Sequence, residues 1–131
     1  MTEAPDPQLV DLAHEMFDLA REGEGERLGA YVDAGVPADL TDASGNTLLM
    51  LAAYHGHPAT VALLVERGAD PDRVNDRGQS PLAGAVFKGE PDVVQALLSG
   101  GADPDAGSPT ARETAALFGR PDLFGETHQS D

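Results

Sequence analysis

No cysteine occurs in the 131 residues, which removes disulfides, zinc ribbons, iron–sulfur clusters and any thiol nucleophile from the available chemistry. Basic side chains are scarce. Eight of them, seven arginines and the single lysine Lys88, face 23 Asp and Glu, for a formal net charge of −15. A body that acidic is repelled by phosphate backbones, so nucleic acid is excluded as a partner. No apolar run approaches the roughly 20 residues of a membrane-spanning helix. Met1 to Gln8 lack the basic start and apolar stretch of a secretion signal. The expectation is a soluble, cytoplasmic protein without membrane association. What the chain has in quantity is punctuation, with 15 glycines and 10 prolines among 40% hydrophobic residues. That mixture implies short elements joined by many turns. A single domain of this length buries about two-thirds of its unfolded surface, enough for a core without metal or disulfide.

The punctuation is periodic. GADPD occurs at Gly68 to Asp72 and again at Gly101 to Asp105, an offset of 33 residues, and Gly45/Gly78, Leu49/Leu82, Gly56/Gly89, Pro58/Pro91 and Val61/Val94 keep the same step. Backwards, the step carries Gly56 to Gly23 and Gly68 to Gly35, while Val61, Leu64 and Val65 fall on Leu28, Tyr31 and Val32. Forwards, Gly119 and Pro121 follow Gly89 and Pro91 by only 30, so the turn around Ala106 to Pro109 is shorter. Self-similarity at a period of this size is the signature of a stacked-repeat architecture.

Each repeat reads as two short helices. Leu49, Ala52, Ala53 and Gly56 follow the i, i+3, i+4, i+7 spacing, as do Val61, Leu64, Val65 and Gly68, and the next unit repeats both sets. Thr47 and Ser80 are placed to cap the first helix of a pair. Pro58, Pro91 and Pro121 sit where a second helix takes its first-turn proline, and Gly68 and Gly101 where a left-handed residue stops it.

These residues resemble the ankyrin repeat family, whose unit opens D-x-x-G-x-T-P-L-H-x-A-A-x-x-G-H and closes L-L-x-x-G-A-D. Here the opening reads Asp42-Ala-Ser-Gly45-Asn-Thr47-Leu-Leu49-Met-Leu-Ala52-Ala53-Tyr-His-Gly56-His57, and the following unit has Gly78, Ser80-Pro81-Leu82, Ala85 and Gly89. The resemblance implies an all-α solenoid of about four stacked helical hairpins linked by β-turns. The expected division is a tail at 1–8, an N-terminal capping unit at 9–41, repeats at 42–74 and 75–107, a truncated C-terminal cap at 108–124 and a tail at 125–131. Met50 and Ala83 replace the family's histidine, Leu48 its proline, and Arg112 fills the apolar slot of Leu49 and Leu82. Arg112 is costly there unless its outer side faces water, as in a terminal unit.

Catalytic and metal-binding signatures fall short. His14-Glu15-Met16-Phe17-Asp18 begins like a zinc-hydrolase helix, but Asp18 stands where the second histidine is required. Asp70, Asp72 and Asp76 suggest a calcium loop, yet the sixth and twelfth positions hold Asn75 and Pro81 instead of Gly and Glu. Gly23-Glu-Gly25 and Gly100-Gly101 lack a phosphate-loop context. No spacing proposes a nucleophilic triad among the four histidines. His57 matches a structural position of the family. No cofactor and no metal are therefore expected.

The first helices carry a different signal. At about 100° per residue, Met50, Leu51, Tyr54 and His55 fall outside the stripe centred on Leu49, and Ala83, Gly84, Phe87 and Lys88 match them one repeat later. Tyr54 and Phe87, two of only six aromatics, thus form a row continued by Leu117 and, at the N-terminal end, Arg21. Large outward aromatics are typical interface anchors; the competing reading is that Tyr54 and Phe87 pack on each other between repeats and that Leu123 and Phe124 cover Leu117 and Phe118. In the family such a row lines a concave groove that binds partner proteins together with the turn tips, here including Ser44, Asn46, Arg77 and Gln79. The expected function is a monomeric, non-enzymatic protein-interaction module that uses this groove and these tips. Residues 1 to 42 hold 2 basic and 11 acidic side chains, net −9. They support a rival reading as an acidic inhibitor or immunity-type protein masking a basic partner site. A metal-dependent hydrolase built on His14 to Asp18 is the remaining alternative.

Overall fold

The computed structural model describes residues 7–120. They form seven helices: α1 (Pro7–Glu22), α2 (Gly25–Asp33), α3 (Leu48–Tyr54), α4 (Pro58–Glu66), α5 (Pro81–Lys88), α6 (Pro91–Ser99) and α7 (Ala111–Leu117). Among the described residues no helix is long and apolar enough to cross a membrane. The second-helix start expected at Pro121, Leu123 and Phe124, His128, and most of both expected tails lie outside the described residues.

The caps follow the chemistry of the residues that make them. Thr47 Oγ1 accepts from the Met50 N–H and Ser80 Oγ from the Ala83 N–H, each at 3.1 Å. Thr110 exchanges hydrogen bonds with Glu113 in a capping box. Pro58, Pro81 and Pro91 occupy the first turn of their helices, where the missing N–H costs nothing. Gly68 and Gly101 take φ values of +96° and +93° just past α4 and α6, as a helix-stopping left-handed residue requires.

Helices α1, α3, α5 and α7 stack side by side in one layer, and α2, α4 and α6 in a second. The core lies between the layers, where Met16, Leu28, Leu49, Leu64, Leu82 and Leu97 are fully buried. Burying side chains of this size stabilises by about 1.5–3 kcal/mol each. One expectation is corrected here. Met50 and Leu51 do not face outward; they are only 3% and 7% exposed. The reason is that α3 packs against α1 and α5 as well as its own partner α4, so three of its sides are covered. Gly84 makes room for Met50, since a Cβ there would stand 3.0 Å from the Met50 Cε.

Arg112 is half-buried, and its Nε lies 3.0 Å from Asp105 Oδ1. It sits on α7, whose only substantial helix neighbour among the described residues is α5.

Candidate functional site

The acidic turns bind backbone. Asp39 Oδ1 accepts from the Asp70 N–H at 2.9 Å, and one repeat later Asp72 Oδ1 accepts from the Asp103 N–H at 2.7 Å. Asp70 and Asp103 in turn accept from the N–H two residues on, both at 2.9 Å. The third carboxylate in the series, Asp105, takes Arg112. Asp39, Asp72 and Asp105 keep the 33-residue step, so a carboxylate on each turn holds the next unit, by its backbone in the first two cases and through Arg112 in the third. Asp70 and Asp72 of the set that resembled a calcium loop are thereby engaged with backbone, and among the described residues no three His, Asp or Glu side chains cluster to hold a metal ion.

The residues of the zinc-hydrolase look-alike are similarly engaged. Glu15 accepts from the Tyr31 hydroxyl at 2.8 Å and from Arg27 at 3.1 Å, while Asp18 pairs with Arg21 at 2.9 Å. The Glu15 hydrogen bond, with burial and the same carboxylate's charge behind it, raises the Tyr31 pKa above its usual value near 10.0.

The tips repeat one motif. Asp42 Oδ1 accepts from the Ser44 and Asn46 N–H groups, and Asn75 Oδ1 from those of Arg77 and Gln79. Asn75 Nδ2 donates to Asn46 Oδ1 at 2.9 Å, which ties the two tips together, and the Asp76 N–H donates to Ser44 O at 3.0 Å.

Below the tips, α3, α5 and α7 enclose an open groove of about 590 Å³. Met50, Leu51 and Ala83 line its floor, and Tyr54, Phe87 and Leu117 its walls, while Asn46, Arg77 and Gln79 border its tip end. Phe87, Leu117 and Phe118 are 54%, 79% and 55% exposed. Tyr54 is half-buried. Tyr54 packs edge-on against His55 with ring centroids 5.7 Å apart, and Phe87 against Phe118 at 5.8 Å. Each ring of the expected row therefore has a partner other than the next rung. Lys88 Nζ stands 4.8 Å over the Tyr54 ring, a cation–π contact on a groove wall whose lining Lys88 does not join.

His55 is exposed beside this contact. Partial burial first, then the charges of Arg21, His57 and Lys88, hold its pKa below the usual 6.5. His57 is a structural residue, with its Nε2 2.7 Å from Arg21 O, and it joins the end of α1 to the start of α4. Gly23 gives its ring space, for a Cβ there would meet His57 Nδ1 at 2.5 Å. Arg21 and Ser44 do not join the main groove. They line a second depression with His14, Phe17 and Asp18 at the N-terminal end.

The sequence profile described as Ankyrin repeats (3 copies) matches residues 16–108. A Pseudomonas aeruginosa protein named as an ankyrin repeat protein is 45% identical over 67 residues, which cover 48% of this chain and 39% of that relative. The chain thus matches less than half of the relative's length.

Proposed function

Because the chain belongs to the ankyrin repeat family, whose repeats are generally protein-interaction modules and typically not enzymes, we propose that it binds a protein partner through the α3–α5–α7 groove. In this reading it acts as a monomer without catalysis. The observation that carries the proposal is the contiguous exposed surface of Phe87, Leu117 and Phe118, beside Tyr54 on helices already fixed by the stack. Aromatic anchors on a rigid solenoid bind without first having to order a loop. Asn46, Arg77 and Gln79 contribute from the tips, His55 and Lys88 from beside the Tyr54 ring, and Arg21 and Ser44 from the adjoining depression. Division into units at 9–41, 42–74, 75–107 and 108–124 belongs to the same reading.

Affinity capture by the wild type beside a Phe87→Ala/Leu117→Ala variant, with thermal melts of both, tests it. The expected result is a partner retained by the wild type alone and closely similar melts. Equal capture by both proteins contradicts the proposal.

The rival reading as an acidic mask draws on the net −9 of residues 1 to 42. It requires the N-terminal face, because among the described residues no Asp or Glu lines the main groove. Binding that collapses with added salt and survives the groove substitutions would favour it.

A further inference from the structure

The groove's electrostatics oppose those of the chain. Acidic residues outnumber Lys and Arg by 23 to 8, yet among the described residues none of them lines the groove, and the one charged residue that does is Arg77. Arg21, Arg27, Arg67 and Arg112 each pair with a carboxylate. Arg73, Arg77 and Lys88 do not: among the described residues none of the three meets an Asp or Glu, Arg73 lies away from the groove, and the Lys88 ammonium rests on the Tyr54 ring. In a chain with so many spare carboxylates, an unpaired Arg77 in the groove lining and an unpaired Lys88 on the Tyr54 ring of its wall form a binding pattern. Arg77 stands in the turn before α5 and Lys88 ends that helix, with Phe87 beside Lys88.

From this we infer that the groove's occupant is a peptide segment combining apolar anchors with carboxylates. One apolar side chain packs among Phe87, Leu117 and Phe118, one carboxylate meets Arg77 and another meets Lys88. The inference rests on the proposed groove and adds the chemistry of what enters it. It also runs against the bulk charge, which steers basic partners toward the molecule while the groove offers them no counter-charge.

The test pans a displayed library of random 12-residue peptides on the full chain at physiological salt, with Phe87→Ala as the counter-selection. Enriched peptides are then measured by fluorescence anisotropy against the wild type, Arg77→Glu, Lys88→Glu and Arg73→Glu. Arg73 is exposed and lies outside the groove, so Arg73→Glu makes the same change in net charge as Arg77→Glu at a different place. The expected peptides carry apolar residues with Asp or Glu, losing about tenfold in affinity to Arg77→Glu and to Lys88→Glu. With Arg73→Glu they should bind within about twofold of the wild type. Thermal melts identify any variant that fails to fold, and Arg77→Gln and Lys88→Gln then give the same ordering. Phe87-dependent peptides that are neutral or basic overturn the inference and leave the groove reading intact, as does equal weakening by all three reversals. If no enriched peptide depends on Phe87, the groove reading and this inference both fail.

Discussion

The acidic turns and the groove are built from the same repeats and use charge in opposite ways. On the turns, Asp39 and Asp72 hold backbone N–H groups of the next repeat, Asp70 and Asp103 hold their own turns, and Asp105 holds Arg112. Among the described residues no carboxylate lines the groove, and its exposed large apolar side chains are Phe87, Leu117 and Phe118. A net charge of −15 is therefore poor guidance to what the surface recognises. Part of it is structural, engaged with backbone donors that lack a helical partner, and among the described residues none of it lines the groove proposed to bind.

Substitutions can break that division, and the largest effect belongs to the core beneath both faces. Leu82→Ala removes a fully buried side chain and should cost about 2–5 kcal/mol in denaturant unfolding. Asp72→Ala should come next. Its hydrogen bond to the Asp103 N–H is charge-assisted, a class contributing about 1.5–3 kcal/mol, and partial exposure reduces the expected loss to about 1 kcal/mol. Glu22→Gln sharpens the contrast: this exposed acid ends α1, where the helix dipole disfavours negative charge, so its removal should leave the melt unchanged or slightly raised. A matching loss from both substitutions would show that the turn acids are ordinary surface charges. Phe87→Ala, on the other face, should change stability by less than about 0.5 kcal/mol while abolishing partner binding. A melt lowered by several degrees would place Phe87 in the fold's core.

The smallest effect is one of pH. His55 titrates below 6.5 when folded because of partial burial and the Arg21, His57 and Lys88 charges. As pH falls below 6.5 the unfolded chain takes up the proton first, so this group's contribution to stability declines between 6.5 and its lowered folded value. Melting temperatures recorded across that window should fall less steeply for His55→Asn than for the wild type. Parallel curves would contradict the assignment.

The helices were legible because each start and stop is local. Thr47, Ser80, Pro58, Pro91, Gly68 and Gly101 act within a few residues of where they stand, and the 33-residue step multiplies the signal. Burial of Met50 and Leu51 was not legible in the same way. A projection along one helix registers its partner within the pair but not the helices stacked on either side, and α3 has both α1 and α5 as neighbours. The Asp39, Asp72, Asp105 series was present in the sequence at the repeat spacing. Its meaning appeared only when consecutive turns were seen to touch, and the same contact explains how Arg112 is accommodated in a slot that is apolar in the other repeats. For the groove, register alone aligned Tyr54, Phe87 and Leu117. Assigning Arg21 and Ser44 to a separate depression required the path of α1 in space, and the missing carboxylates became visible only once the lining was known.

The most direct test of the division is amide hydrogen exchange on the chain alone and saturated with the partner it captures. The account predicts added protection confined to the tips and groove helices, at residues 46–54, 77–88 and 114–118, with the Asp70 and Asp103 amides and helices α2, α4 and α6 exchanging as before. Protection centred on those turn amides or on the second helix layer, with the groove unchanged, would contradict it.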